Sequence, residues 1–129
     1  MPTGYPTVCP YLFYKDGPAA LRFLVDAFGA RVCHEPDPET FGHAEVEIGD
    51  GGRVMVGNPP ELDQGTRWGG VHVYVDDVDA HCAKARAAGA KIVSGPEDRP
   101  YGDRIYETVD TEGHTWWFAQ PVGPRRTGN

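Results

Sequence analysis

The sequence predicts an α+β fold that consists of two tandem βαβββ modules. The chain has 129 residues, of which 40% are apolar and 24% charged, as expected for one globular domain. An internal repeat indicates the architecture: Tyr14 and Asp16 recur as Tyr74 and Asp76, about 60 positions later. The similarity extends over most of each copy. We therefore expect the same succession of strands and one helix twice.

The first copy has the pattern of a strand, a helix and three further strands. Aromatic and β-branched residues at alternate positions predict a strand over residues 8–14. A proline in the first turn and Gly29 at the end delimit a helix from about Pro18 to Phe28. The three strands that follow are predicted at about 31–35, 43–49 and 53–57, with a glycine-rich hairpin turn at 49–52.

The second copy repeats this order. A strand is predicted at 70–76, and an alanine-rich helix from Val78 to Ala88 ends at Gly89. Three strands are predicted at about 91–94, 104–109 and 115–120. One domain is expected over residues 1–122. Its parts and the remaining tail are, in order, a module at 5–58, a proline-rich linker at 59–68, a module at 69–122 and a disordered tail at 123–129.

Charge and cysteine content restrict the partners and the compartment. Asp and Glu number 19 against 12 Lys and Arg, and this excess of negative charge disfavours nucleic acid and anionic membrane surfaces. Cys9, Cys33 and Cys82 are an odd number at wide spacing, which is typical of a reducing compartment. The start of the chain lacks the features of a signal peptide. We therefore expect a cytoplasmic protein.

Three segments carry a resemblance to a known family. They are PYLFYKDGPAALRFLVDAFGARV, VHVYVDDVDAHCAKARAAGAKIV and YGDRIYETVDTEGHTWWFAQP. Over residues 5–122 the chain resembles the vicinal oxygen chelate superfamily of glyoxalases, bleomycin resistance proteins and extradiol dioxygenases, and in particular its PhnB-like branch. The resemblance implies the glyoxalase/bleomycin resistance fold, in which the strands of two modules form a cupped mixed sheet. Modules often pair between two chains, and exposed strand edges also favour a homodimer.

The same resemblance implies where a divalent metal would be bound in catalytic members. The ligands are a His or Gln on the first strand of a module and a Glu on its last strand. In this sequence those positions are Cys9 or Pro10, Gly69 or Gly70, Met55 or Val56, and Trp117. Because none is His, Gln or Glu, we expect a cavity without metal or other cofactor.

The predicted function is therefore the binding of a small flat or hydrophobic molecule, an antibiotic or a metabolite, between the modules. Aromatic residues on or beside the strands suit such a ligand, and alternation puts His72 and Tyr74 opposite the valines of their strand. Arg104 is expected to neutralise an anionic group of the ligand. The candidate ligand-binding residues are Tyr11, Phe13, His43, Met55, His72, Tyr74, Tyr101, Arg104, Tyr106 and Trp117.

Three alternatives stay open at this point. The aromatic residues can simply fill two small cores, and a shift of one residue in register would exchange Trp116 and Trp117 between the cavity and the core. The third alternative is a metal-dependent lyase, isomerase or dioxygenase with a displaced divalent metal site at His43, His72 and a Glu. Otherwise, Glu45 and Glu47 are expected to be solvated or paired with Arg53 and Arg104.

Overall fold

A computed structural model describes the protein at residues 6, 8–60 and 70–123. Its elements in chain order are β1 (Tyr11–Phe13), α1 (Gly17–Phe28), β2 (Arg31–His34), β3 (His43–Ile48), β4 (Gly52–Gly57), β5 (Gly70–Tyr74), α2 (Val78–Ala87), β6 (Lys91–Asp98), β7 (Asp103–Val109) and β8 (Thr115–Pro121). The predicted linker and tail lie mostly outside the described residues. Over the part of the chain that is described, the helices fall short of the length and apolarity that a membrane span requires.

The strands form two four-stranded mixed sheets, one for each module. Sheet 1 has the order β1-β4-β3-β2, and sheet 2 has the order β5-β8-β7-β6. In each sheet the first strand of the module pairs in parallel with its last strand, and the other pairs are antiparallel. The α+β fold class with two βαβββ modules is therefore confirmed.

Each helix begins at an aspartate that follows a strand. The side chain of Asp16 accepts a hydrogen bond from the backbone N–H of Ala19 at 3.0 Å, and Asp77 accepts one from Ala80 at 3.1 Å. These bonds satisfy donors that the first turn of a helix leaves unpaired. Helix α1 ends at Gly29, whose φ of 75° is in the left-handed region that favours glycine.

Each helix packs on one face of the sheet of its own module. The two helix-bearing faces together enclose one hydrophobic core that both modules share. Helices α1 and α2 contact each other. The Phe28 ring at the end of α1 lies 5.2 Å from the ring of Trp116 and 5.0 Å from that of Phe118, both on β8. We call the helix side of each sheet its inner face and the opposite side its outer face.

A second contact between the modules involves His81 of α2. One ring nitrogen, Nε2, lies 2.9 Å from the carbonyl oxygen of Phe28, and the other, Nδ1, lies 2.6 Å from the hydroxyl of Tyr106. Because the carbonyl oxygen can only accept, Nε2 donates to it and Nδ1 accepts from Tyr106. Burial lowers the pKa of His81, so the neutral ring is favoured. This histidine therefore connects α1 to sheet 2.

Asp110, at the end of β7, is a buried carboxylate that receives hydrogen bonds from both modules. Its oxygens accept from the Tyr14 hydroxyl at 2.6 Å and from Trp116 Nε1 at 3.1 Å. The backbone N–H groups of Glu112 and His114 donate to it at 3.1 and 3.0 Å. Burial raises the pKa of Asp110, but hydrogen bonds from His114, Tyr14 and Trp116 outweigh this effect and lower its pKa overall.

The same turn also holds the start of α1. Both carboxylate oxygens of Glu112 accept backbone hydrogen bonds, from Lys15 and from Asp16, each at 2.8 Å. The turn between β7 and β8 of the second module thereby fixes the junction of β1 and α1 in the first. The relative position of the two modules rests largely on these polar contacts and on the shared core.

The strand pairing of the two sheets matches different residues from those that the sequence repeat matches. Glu45 pairs with Met55 in sheet 1, and Glu107 pairs with Trp117 in sheet 2. Structurally, Glu107 therefore corresponds to Glu45, whereas the constant offset of the sequence repeat aligns it with Glu47. The pairing with the next strand shifts register once in β2 and twice in β6, so a constant offset in sequence does not hold between the two sheets.

We predict that Asp110→Ala lowers the free energy of unfolding by about 3 to 5 kcal/mol, because Tyr14 and Trp116 are left as buried donors. Urea denaturation measures the change. The control is Asp50→Ala in the exposed turn between β3 and β4, which we expect to change stability by about 0.5 kcal/mol or less. Similar stabilities of the two variants would contradict the role assigned to Asp110.

The lowered pKa of Asp110 also predicts a pH dependence. A carboxylate whose pKa is lower in the folded than in the unfolded state stabilises the fold fully above its unfolded pKa, about 3.9 for Asp. This stabilisation is lost as the pH falls through the folded pKa. The stability difference between the wild type and Asp110→Ala should therefore shrink below about pH 4. A constant difference down to lower pH would show that ionised Asp110 is not responsible.

Candidate functional site

The outer face of sheet 1 carries an aromatic surface. Tyr11 and Phe13 are each 46% exposed, and their ring centroids are 5.1 Å apart. A Cβ atom at Gly57 would lie 2.9 Å from Cε1 of Tyr11 and 3.5 Å from Cδ1 of Phe13. The missing side chain at Gly57 therefore lets both rings lie over β4, where Met55 is the register partner of Tyr11. We call Tyr11, Phe13, His43 and Met55 the sheet 1 platform.

A series of hydrogen bonds begins at Tyr11 of this platform and leads to buried groups on β3 and β4. Tyr11 Oη lies 2.7 Å from His43 Nδ1, and His43 Nε2 lies 2.8 Å from Glu45 Oε2. Arg53 donates to the other oxygen of Glu45 at 3.2 Å. The His34 ring on β2 is 5.6 Å from that of His43. Glu45 is only 6% exposed, so a buried carboxylate orients a histidine whose tyrosine partner is accessible.

The outer face of sheet 2 carries a similar surface. Trp117 is the register partner of His72, and the His72 and Tyr74 rings are 5.0 Å apart. The Trp117 indole N–H donates to Glu107 at 3.2 Å, and the Tyr74 hydroxyl donates to Asp103 at 2.8 Å. We call His72, Tyr74 and Trp117 the sheet 2 platform.

Trp117 lies against the first strand of its module. A Cβ atom at Gly70 would be 2.8 Å from Cζ3 of Trp117, so the indole covers β5 where a glycine leaves room for it. Trp116, the adjacent residue, is fully buried on the inner face. The structure therefore places Trp117 on the outer face and Trp116 in the core.

The modules approach each other at a cavity of about 350 Å³. Arg53 from sheet 1 and His72 and Tyr74 from sheet 2 contribute to its walls, together with the turn after β3. That turn is close to β5, because a Cβ atom at Gly49 would lie 3.1 Å from the Tyr74 carbonyl oxygen. A larger groove of about 530 Å³ lies between α1 and residues 35–41. None of the ten candidate residues lines that groove.

Two of the candidate residues do not lie on an outer face. Tyr106 is completely buried on the inner face, where its hydroxyl donates to His81. Arg104 forms ion pairs with Asp79 of α2 at 3.0 Å and Asp98 of β6 at 3.1 Å. Because of the alternation along β7, Arg104 and Tyr106 lie on the other face of sheet 2 from Glu107 and Trp117, so these side chains do not share a face with Trp117. Tyr101 lies in the turn between β6 and β7, outside both platforms.

The acidic residues near His43 were only partly anticipated. Glu45 pairs with Arg53, as one expectation had it, whereas Glu47 pairs with Arg31 at 2.8 Å. The contact of Glu45 with His43 was not predicted, although their shared strand face was visible in the alternation of residues 43–47. Glu107 and Asp103 on the sheet 2 outer face were also missed.

The residues at the metal positions of the family do not suit a divalent cation. In sheet 2 the indole of Trp117 fills the space above Gly70, and in sheet 1 Met55 supplies only a thioether. His43 and His72 lie on different sheets. Among residues 6, 8–60 and 70–123, no group of three or more His, Cys, Asp or Glu has the arrangement of a metal site.

Comparison with known proteins agrees with the fold. The model of the Glyoxalase/Bleomycin resistance protein/Dioxygenase superfamily matches residues 6–118. The chain belongs to this superfamily. The chain is 36% identical to the uncharacterised protein Mb0911c of Mycobacterium bovis over an alignment of 129 residues. The alignment covers 91% of this chain and 84% of the relative.

Two solved structures extend the comparison. TioX from Micromonospora sp. ML1 is 36% identical and superimposes with a TM-score of 0.74 over 94% of this chain and 100% of its own. TnmS3, an antibiotic binding protein from Streptomyces sp. CB03234, is 22% identical and has a TM-score of 0.70 over 91% of this chain and 98% of its own. At that identity the likeness to TnmS3 shows the fold alone.

We predict that the two neighbouring tryptophans differ in their effect on stability. Trp116→Ala removes a fully buried ring and a donor to Asp110, and should lower the free energy of unfolding by about 3 to 5 kcal/mol. Trp117→Ala should cost less than half as much, because its ring is partly solvated. Thermal and urea denaturation of both variants test the difference. A larger loss for Trp117→Ala would contradict its place on the outer face.

Proposed function

We propose that this protein binds a small flat or hydrophobic molecule on its aromatic outer faces without a metal, and thereby sequesters or carries it. The observation that carries the proposal is the pair of platforms, each built where a glycine lets an aromatic ring lie over a strand. Such surfaces are well suited to stack with a planar guest. Each good aromatic pair contributes about 1 kcal/mol beyond the burial of area.

The cavity between the modules supports the same proposal. Its volume of about 350 Å³ is in the range of small-molecule sites, and it adjoins His72 and Tyr74 of the sheet 2 platform. Arg53 contributes a charged group at its wall. An apolar surface with a few polar groups is the usual composition of a ligand site.

Relatives support an antibiotic or a related metabolite as the ligand class. TnmS3 is described as an antibiotic binding protein, and it shares this fold. Within the superfamily we place the chain near the metal-free binding proteins and the PhnB-like members. Three thiols without a disulfide are compatible with the cytoplasmic location that we propose.

We further propose a homodimer, with one domain per chain over residues 1–122. The helices pack on the inner faces, so the outer faces of one chain point away from the shared core and leave Tyr11, Phe13 and Tyr74 more than 40% exposed. Sheet 1 of one chain beside sheet 2 of a partner would cover these rings and enclose a ligand. Sedimentation equilibrium at micromolar concentration should give twice the chain mass, and a monomer would contradict this arrangement.

The ligand site predicts a specific role for Trp117. Trp117→Ala should weaken the binding of a planar ligand by about 1 to 3 kcal/mol, because stacking and burial are lost. Trp117→Phe, which keeps a ring, should have a smaller effect. Native mass spectrometry and calorimetry with a panel of planar antibiotics and metabolites measure these affinities. If no compound of the panel binds more tightly than millimolar, the proposal fails.

The enzyme alternative makes the opposite prediction about metal. Protein purified without a chelator should contain less than stoichiometric Fe, Zn, Ni or Mn, since the residues at the family's ligand positions do not suit these ions. Elemental analysis decides this point. One metal ion per chain would favour a metal-dependent lyase, isomerase or dioxygenase.

A further inference from the structure

The polar contacts of the sheet 1 platform have a defined direction. An ionised Glu45 carboxylate can only accept a hydrogen bond, so in the neutral His43 ring the single proton is on Nε2, 2.8 Å away. Arg53 at 3.2 Å balances the charge of this carboxylate. In the neutral ring, Nδ1 then has a lone pair and no proton. It can only accept from the Tyr11 hydroxyl at 2.7 Å.

This direction determines what Tyr11 offers to a ligand. Its single hydroxyl proton points inward to His43, so the lone pairs of its oxygen are left for a partner on the exposed side. The ring is 46% exposed and lies beside Phe13 over Gly57. An accessible hydrogen-bond acceptor therefore lies at the edge of an aromatic surface.

We propose that Tyr11 accepts a hydrogen bond from the ligand, and that the site selects flat molecules with a phenolic or enolic O–H at the ring edge. This inference rests on the proposed function, because the same platform must stack with the ring. Tyr11 is the group that contacts the ligand, and His43 and Glu45 are positioning residues. The charged or titratable groups around His43 are Tyr11 on β1, His34 on β2, Glu45 on β3 and, through Glu45, Arg53 on β4.

The preference for a hydrogen-bond donor over an acceptor follows from the same geometry. A carboxylate or ether oxygen presented to Tyr11 would place two hydrogen-bond acceptors together with no proton between them. A hydroxyl satisfies the oxygen of Tyr11 without disturbing the inner contacts. The structure thus favours a hydroxylated aromatic over its methyl ether, although both have similar flat surfaces.

The test compares β-naphthol with its methyl ether by calorimetry. On the wild type we expect β-naphthol to bind about 3- to 10-fold more tightly, which corresponds to one hydrogen bond. In Tyr11→Phe, which keeps the ring and its stacking, the two affinities should become equal. In the control Phe13→Leu, both affinities should fall while the preference for β-naphthol stays.

The outcomes separate this inference from the proposed function. Binding of both compounds with equal affinity by the wild type would overturn only the inference. If Tyr11→Phe still binds β-naphthol more tightly than its methyl ether, the inference about Tyr11 is also overturned. No binding of either compound up to its solubility limit would count against the proposed function and the inference together.

A second measurement does not depend on any ligand. Nitrogen-15 NMR of the histidine rings in the wild type should show His43 protonated at Nε2 and unprotonated at Nδ1. In Glu45→Gln the amide can donate, so the Nδ1-protonated form should increase and the preference for β-naphthol should fall. His43 protonated at Nδ1 in the wild type would overturn the assigned direction.

Discussion

The buried carboxylate of Asp110 is the contact on which the arrangement of the two modules depends. It joins Tyr14 of the first module to Trp116 of the second, and the turn that contains it also holds the start of α1 through Glu112. Buried hydrogen bonds to a charged group are stronger than neutral ones, and leaving their donors unpaired is costly. Together with the shared core, this connection holds the two modules in their relative position.

Once the helices lie on the inner faces, alternation gives adjacent residues different roles. Trp116 and Trp117 have the same side chain, yet Trp116 is buried in the core and Trp117 lies on the outer face beside His72. Tyr106 and Glu107 show the same division on β7. A sheet with one buried face can therefore change the chemistry of its outer face while its core is unchanged.

Both platforms combine an aromatic ring with a glycine on the neighbouring strand. Tyr11 and Phe13 lie over Gly57, and Trp117 lies over Gly70. The resemblance to the superfamily implies metal ligands at Gly69 or Gly70 and at Trp117 in catalytic members, and at the last of these positions this chain has an indole. The proposed function uses that indole as a stacking surface.

The sequence by itself determined the two modules, the order of their elements and most helix and strand positions, because capping residues and hydrophobic periodicity are local signals. It also separated His72 and Tyr74 from the core valines, since that needs only alternation within one strand. Only the tertiary structure decided the faces of Arg104 and Tyr106, the equivalence of Glu45 and Glu107, and the contact from Tyr11 through His43 to Arg53. These depend on the register between strands and on the partners that packing brings together, which residues distant in sequence cannot show until the chain is folded.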